Sequence, residues 1–132
     1  MKWGAPFDPA AESIWISASV RGPKALADAL VFILDPGTEM SIVDSQVAAR
    51  IGLDRSKSVG PVQFDGISRT YKAYRVIAGE LQAFGRVMED LEVACSPLQT
   101  KFHADGLLGL DFLRNLRVTL DFIKGRISLT DE

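Results

Sequence analysis

The sequence predicts an all-β domain, folded as a closed or partly closed barrel. Three observations point there. Short stretches of alternating apolar and polar residues recur along the chain. The segments between them are rich in Gly, Pro and Asp. No strand pattern is followed by a helix in the rhythm of a parallel α/β sheet. A chain of 132 residues suits one domain, and at that size about two-thirds of the unfolded surface is buried without a disulfide or metal staple.

Taken in order, residues 1–12 read as an irregular N-terminal arm, because Pro6 and Pro9 discourage regular structure. Residues 13–132 read as the single domain. From Ser13 to Val20 the pattern alternates, with Ile14, Ile16, Ala18 and Val20 on one face, as in a half-buried strand. Arg21-Gly22-Pro23 is a turn. Ala29 to Leu34 is apolar enough to predict a strand buried on both faces. Ile42-Val43 is a short strand. Asp44-Ser45 then caps a short helix that turns Val47, Ala48 and Ile51 inward and stops at Gly52. Val59–Phe64 and Thr70–Ala78 flank the polar tip Asp65-Gly66-Ile67-Ser68 as a hairpin. Gly79 and Gly85 bracket a further short strand, and Arg86 to Ala94 forms the next. Asp111 to Leu116 has helical spacing, with Asp111 as its cap. Val118–Phe122 and Arg126–Leu129 close the chain as a hairpin around Lys124-Gly125.

Composition narrows the function. The hydrophobic fraction of 47% is that of a globular protein, and the net charge of −2 comes from interspersed acids and bases. No basic stripe tracks a phosphate backbone, which argues against nucleic acid. The single Cys95 excludes an intrachain disulfide and suits a reducing compartment. No apolar run approaches the roughly 20 residues of a membrane span, so no membrane insertion is expected. Met1-Lys2-Trp3-Gly4 lacks a secretory apolar stretch, so a cytoplasmic location is favoured. One His and one Cys build no zinc site, no acidic cluster has calcium-loop spacing, and no glycine-rich phosphate loop is present, so neither metal nor cofactor is expected. A Cys95–His103 nucleophile pair is the weaker reading beside a buried structural thiol.

The chemistry concentrates at Leu34-Asp35-Pro36-Gly37-Thr38. An acid directly after a buried strand, with Gly two residues on, sits in a tight turn at the edge of a core. Asp-Pro-Gly is also an ordinary turn string, in which Asp starts the bend and Pro presets φ. The apolar run before it and Ile42-Val43 after it separate this turn from a surface loop. A second segment, Asp105-Gly106-Leu107-Leu108-Gly109-Leu110-Asp111-Phe112-Leu113, lies late in the chain.

Together these segments resemble the retropepsin-like aspartic proteases, whose single-domain chains carry one Asp-Thr/Ser-Gly turn and a later apolar-apolar-Gly segment. The resemblance covers roughly residues 13–130 and is specific in the order of its parts. It implies an acid protease barrel with one or two short helices, working as a homodimer. Asp35 then takes the catalytic position within the active-site turn Pro36, Gly37 and Thr38. Leu107, Leu108 and Gly109 support that turn from behind. Asp65, Gly66, Ile67 and Ser68 form a flap over a peptide or protein substrate, with Tyr71 and Tyr74 on its return arm. Two carboxylates about 3 Å apart cannot both ionise, so one stays protonated while the other acts as base toward water. One such turn per chain therefore implies a two-fold axis that brings two Asp35 side chains together.

Pro36 departs from the pattern, since the family's Thr or Ser at this place contributes a hydroxyl and an N–H across the axis and proline offers neither. That departure leaves a second reading open: a dimer of the same fold, catalytically weak or inactive, that binds extended peptides by strand pairing or mediates self-association.

Overall fold

Alternation of side chains is what rolls this chain into a barrel. The computed structural model describes residues 1–65 and 70–132. Strand β2, Trp15–Arg21, turns Ile16, Ala18 and Val20 inward, and β3, Leu26–Leu34, does the same with Leu30, Phe32 and Leu34. Strands β4 (Ile42–Asp44), β5 (Gly60–Asp65), β6 (Thr70–Ala83), β7 (Arg86–Ser96) and β8 (Gly106–Leu108) complete a sheet of order β2-β3-β8-β4-β7-β6-β5. A further pairing of β2 with β6, from Ala18↔Ala83 to Arg21↔Glu80, joins the ends of the first six and closes the barrel. Strand β5 stays outside it, paired among the described residues to β6. Val20, Phe32, Val43, Val76, Leu81, Val93, Leu108 and Phe112 fill the interior.

Helix α1, Ser45–Arg50, begins at Asp44 as expected, and Gly52 ends it at φ 90°. The Asp44 side chain does more than cap. One carboxylate oxygen accepts from Gln46 N and Val47 N, the other from Leu98 N and Gln99 N, so a buried acid is satisfied by four backbone donors. The latter two donors open α2, Gln99–Phe102, a helix that the sequence pattern does not announce. Helix α3 spans Leu110–Leu113.

Several expectations need correction. Residues 2–6 are not irregular: they form β1, Lys2–Pro6, the edge of a separate sheet of order β1-β10-β9 with β9 at Arg117–Asp121 and β10 at Arg126–Thr130. Pro6 is tolerated because it ends an edge strand, while Trp3 and Ala5 pack on the core. Strand β3 is buried on one face only, since Val31 is 45% exposed. Gly79 lies inside β6 and does not bound it. The inward face passes from Tyr74, Val76 and Ala78 to Leu81 and Ala83 across this glycine, a local bend that a residue without a side chain accommodates. Asp111 is not the cap of α3; Gly109 holds that place.

Two core features carry measurable consequences. Gly106 faces Phe32 across the β3–β8 pairing, and a Cβ there would lie 2.2 Å from the Phe32 ring. Gly106→Ala therefore overpacks the barrel and destabilises it by about 2 kcal/mol or more in denaturant titration; an unchanged midpoint would refute this tight packing. Cys95 is buried, and burial pushes its thiol from 9.0 up to about 11. Burial likewise raises the Tyr74 phenol to about 12, and its hydroxyl donates to Leu53 O at 3.1 Å. Both acids keep their protons longer folded than unfolded. The Cys95 contribution to stability is thus complete below pH 9.0 and lost as pH rises through about 11, and that of Tyr74 is complete below 10.0 and lost through about 12. Chemical denaturation across that window shows falling stability, and Cys95→Ala flattens the first part of the fall.

Candidate active site

The chain leaves the barrel at Asp35 because β3 ends there, and β8 holds the exit. Leu34 pairs with Leu108 in a parallel register, and Asp35 N donates to Leu108 O at 2.9 Å. The backbone then folds on itself. Thr38 N donates to Asp35 O at 3.2 Å, and Gly37 N donates to Asp35 Oδ1 at 3.0 Å. The turn is thus of the Asx kind, with Pro36 at the position where its fixed φ fits. A Cβ on Gly37 would sit 3.0 Å from that same oxygen. Asp35 is half-buried, while Pro36 and Gly37 are exposed. Among the described residues the second carboxylate oxygen, Oδ2, has no hydrogen-bond partner. One oxygen is anchored and the other is open.

The far side of the loop is fastened to the segment after β8. Leu110 N donates to Thr38 O at 2.9 Å, and Asp111 N to Glu39 O at 3.2 Å. Buried Ser41 is the centre of the clamp. Its N–H donates to Asp111 Oδ2 at 2.8 Å, its hydroxyl donates to Asp111 Oδ1 at 2.6 Å, and the same hydroxyl accepts from Gly109 N at 3.0 Å. Gly109 admits no side chain, since a Cβ would lie 2.7 Å from Thr38 O. Leu107 and Leu108, both buried, place this clamp behind the acid. Asp105 ties in the start of β8: its Oδ2 accepts from Val31 N at 2.8 Å, and its carbonyl accepts from Asp44 N at 2.8 Å.

Asp35, Pro36, Gly37 and Thr38 are therefore brought against Leu107, Leu108 and Gly109, in one unit. The Thr38 hydroxyl donates to Met40 O at 3.1 Å and is spent within the loop. Glu39 is exposed. Asp65 ends β5, and Gly66, Ile67 and Ser68 lie outside the described residues, as does Arg69. The two arms that lead to them pair from Gly60↔Arg75 to Asp65↔Thr70. Ser41 and Asp105 were not anticipated as site residues. A signal existed for Ser41, since a small hydroxyl residue directly before an apolar strand suits a backbone tether; no comparable signal marks its pairing with Asp111, 70 residues on.

The geometry supplies one fixed carboxylate with an open oxygen on a rigid, exposed turn. Among the described residues no group of three or more His, Cys, Asp or Glu side chains converges as a metal site. Cys95 is an unpromising nucleophile, as burial holds its thiol protonated at neutral pH. No helix of the described residues is long and apolar enough to cross a membrane.

Comparison with known proteins agrees with this architecture. The family described as "gag-polyprotein putative aspartyl protease" matches residues 27–115, a span that holds both the Asp35 turn and the clamp behind it. No curated protein matches the chain. The fold is similar to that of a retropepsin-like aspartic protease from Rickettsia conorii, with a TM-score of 0.70 and 15% identity over 98% of this chain and 89% of that one. The retroviral protease-like domain of Ddi1 from Leishmania major aligns over 84% of this chain and 82% of its own at 19% identity, with a TM-score of 0.48. A family match across the Asp35 turn and the segment behind it places the chain in the gag-polyprotein aspartyl protease family, on a retropepsin-like fold.

Proposed function

We propose that this protein is an aspartic endopeptidase that acts as a homodimer, with Asp35 of each copy activating one shared water against a peptide carbonyl. The observation that carries this reading is the Asp35 carboxylate itself, anchored through Oδ1 to Gly37 N and, among the described residues, unpartnered at Oδ2.

One carboxylate is half of the chemistry. Two brought within about 3 Å share a single proton and titrate as a pair, so one accepts a proton from water while the other donates to the carbonyl oxygen. A two-fold axis over the exposed Pro36-Gly37 turn provides that pair, because the turn is the part of the loop facing away from the barrel. The hairpin arms β5 and β6 then carry Asp65, Gly66, Ile67 and Ser68 over a bound peptide as a flap. The substrate is an extended peptide or an unfolded protein segment. The lone, buried thiol suits a cytoplasmic location.

The test is proteolysis of an unfolded protein between about pH 3 and 7, paired with sedimentation analysis. Cleavage blocked by a transition-state-mimicking inhibitor, and reduced on the order of 10⁴-fold in Asp35→Asn, is the expected result. A protein that stays monomeric at high concentration, or a dimer with no cleavage, removes the proposal. The Pro36 position gives an independent measure. Pro36→Thr restores a hydroxyl and an N–H at the axis and raises the rate, by up to about a hundredfold if the gain is in positioning. An unchanged rate would show that the turn is already held.

A further inference from the structure

The three-stranded sheet carries a groove whose lining shares no residue with the Asp35 turn. Its outward face is set by the register. Lys2, Thr130 and Arg117 lie in one row across β1, β10 and β9, and Gly4, Ser128 and Thr119 lie in the next. Arg126 stands one row further, yet its guanidinium reaches back over Gly4, where an added Cβ would be 3.1 Å from Nη2. Together with the Phe84-Gly85 turn these residues line a groove of about 710 Å³.

Charge singles this groove out. The whole chain is acidic by two charges, yet three cations converge here, and none of them has an ion-pair partner among the described residues. The nearby carboxylates are occupied. Asp121, in the row of Arg126, accepts from Ile123 N and Lys124 N. Asp131 and Glu132 both take the Met1 amine, at 2.7 and 2.8 Å. In the two rows between Lys2 and Arg117 stand Thr130, Ser128, Thr119 and Gly4, able to approach an oxyanion closely, while Trp3, Phe84 and Leu129 complete the lining.

We propose that this groove binds a short chain of phosphate groups. The Cα atoms of Lys2 and Arg117 are two strand spacings apart, roughly 10 Å, so an anion whose charges repeat along its length engages both without drawing the two long side chains together. Such a ligand spans them, with the planar guanidinium groups of Arg117 and Arg126 each taking two oxygens. Ser128 and Thr119 hydroxyls donate from the floor. Free oligophosphate and the phosphate tail of a nucleotide share this chemistry.

Calorimetric titration of the intact protein with tripolyphosphate, and separately with adenosine triphosphate, tests the site. Saturable binding that weakens about tenfold or more in the Arg117→Gln/Arg126→Gln double variant, and that falls steeply with added salt, is the expected outcome. Equal affinity for the two ligands assigns the free phosphate chain; tighter binding of the nucleotide assigns the nucleotide; either supports the site. Circular dichroism verifies folding, and Arg126→Gln alone gives a milder variant should the double fail to fold. Lys57→Gln, on the separate Arg55–Lys57 turn, leaves binding unchanged. No binding at millimolar ligand, binding indifferent to both arginine variants, or binding of polyglutamate in place of tripolyphosphate overturns the assignment.

Discussion

A strand of three residues governs this molecule. Strand β8 lies parallel to β3 and antiparallel to β4, and it hydrogen-bonds to both. Since β3 and β4 are consecutive in sequence, the chain between them must leave the barrel, travel over the end of β8 and return. Residues 35–41 are that excursion. Two glycines let β8 and the segment after it approach this path closely: Gly106 packs against the Phe32 ring in β3, and Gly109 against the Thr38 carbonyl in the middle of the excursion. An excursion so short has few places to put a side chain, and the first residue out of the barrel is Asp35. Backbone pairing, more than side-chain packing, thus sets where the carboxylate sits. Groups held on paired strands are positioned more tightly than groups on free loops.

The same constraint explains the polar cluster behind the turn. A loop pressed onto another segment buries its amides and carbonyls, and each must find a partner. Thr38 O, Glu39 O and Ser41 N are all met from Gly109–Asp111, and one serine hydroxyl both donates and accepts to link the two. Asp44 and Asp105 solve the equivalent problem at the return of the loop, through backbone donors from α2 and β3. Three acids near the site are therefore structural, each fully engaged with N–H or O–H groups. Among the described residues, Asp35 differs from them in having an oxygen left over.

This contrast also marks how far the residues could be read in advance. Strands with a clean period of two, such as Ile16–Ala18–Val20, were legible, and so were the Asp44 cap and the turn at Asp35, because each depends on neighbours in sequence. Strand β1 was obscured by Pro6, a residue that excludes strand interiors but not strand ends. The face change at Gly79 hid a continuous β6, since local alternation breaks wherever a strand bends. The Ser41–Asp111 clamp joins residues far apart in the chain, and only the β8 pairing brings them together. Asp111 was read as a cap because a carboxylate at the start of a helix has that use; here it points across to another segment.

Proline at position 36 can be judged against the same geometry. The turn takes its hydrogen bonds from Gly37 N and Thr38 N, so the missing N–H of Pro36 removes nothing inside one chain. Its ring fixes φ at the value this position uses, and by reducing the freedom of the unfolded chain it stabilises the turn by several tenths of a kcal/mol. In the proposed dimer the loss would lie outside the subunit, at an axis where a partner's turn would meet an apolar ring in place of a hydroxyl. A turn stiffened within each copy needs less help from its mate to stay in place, while a pair of copies without a cross-axis hydrogen bond must be held by other surface. In the proposed dimer, a stiffer half-site and a weaker cross-axis contact would thus both follow from Pro36, and the balance between them would set how much catalysis two such halves deliver.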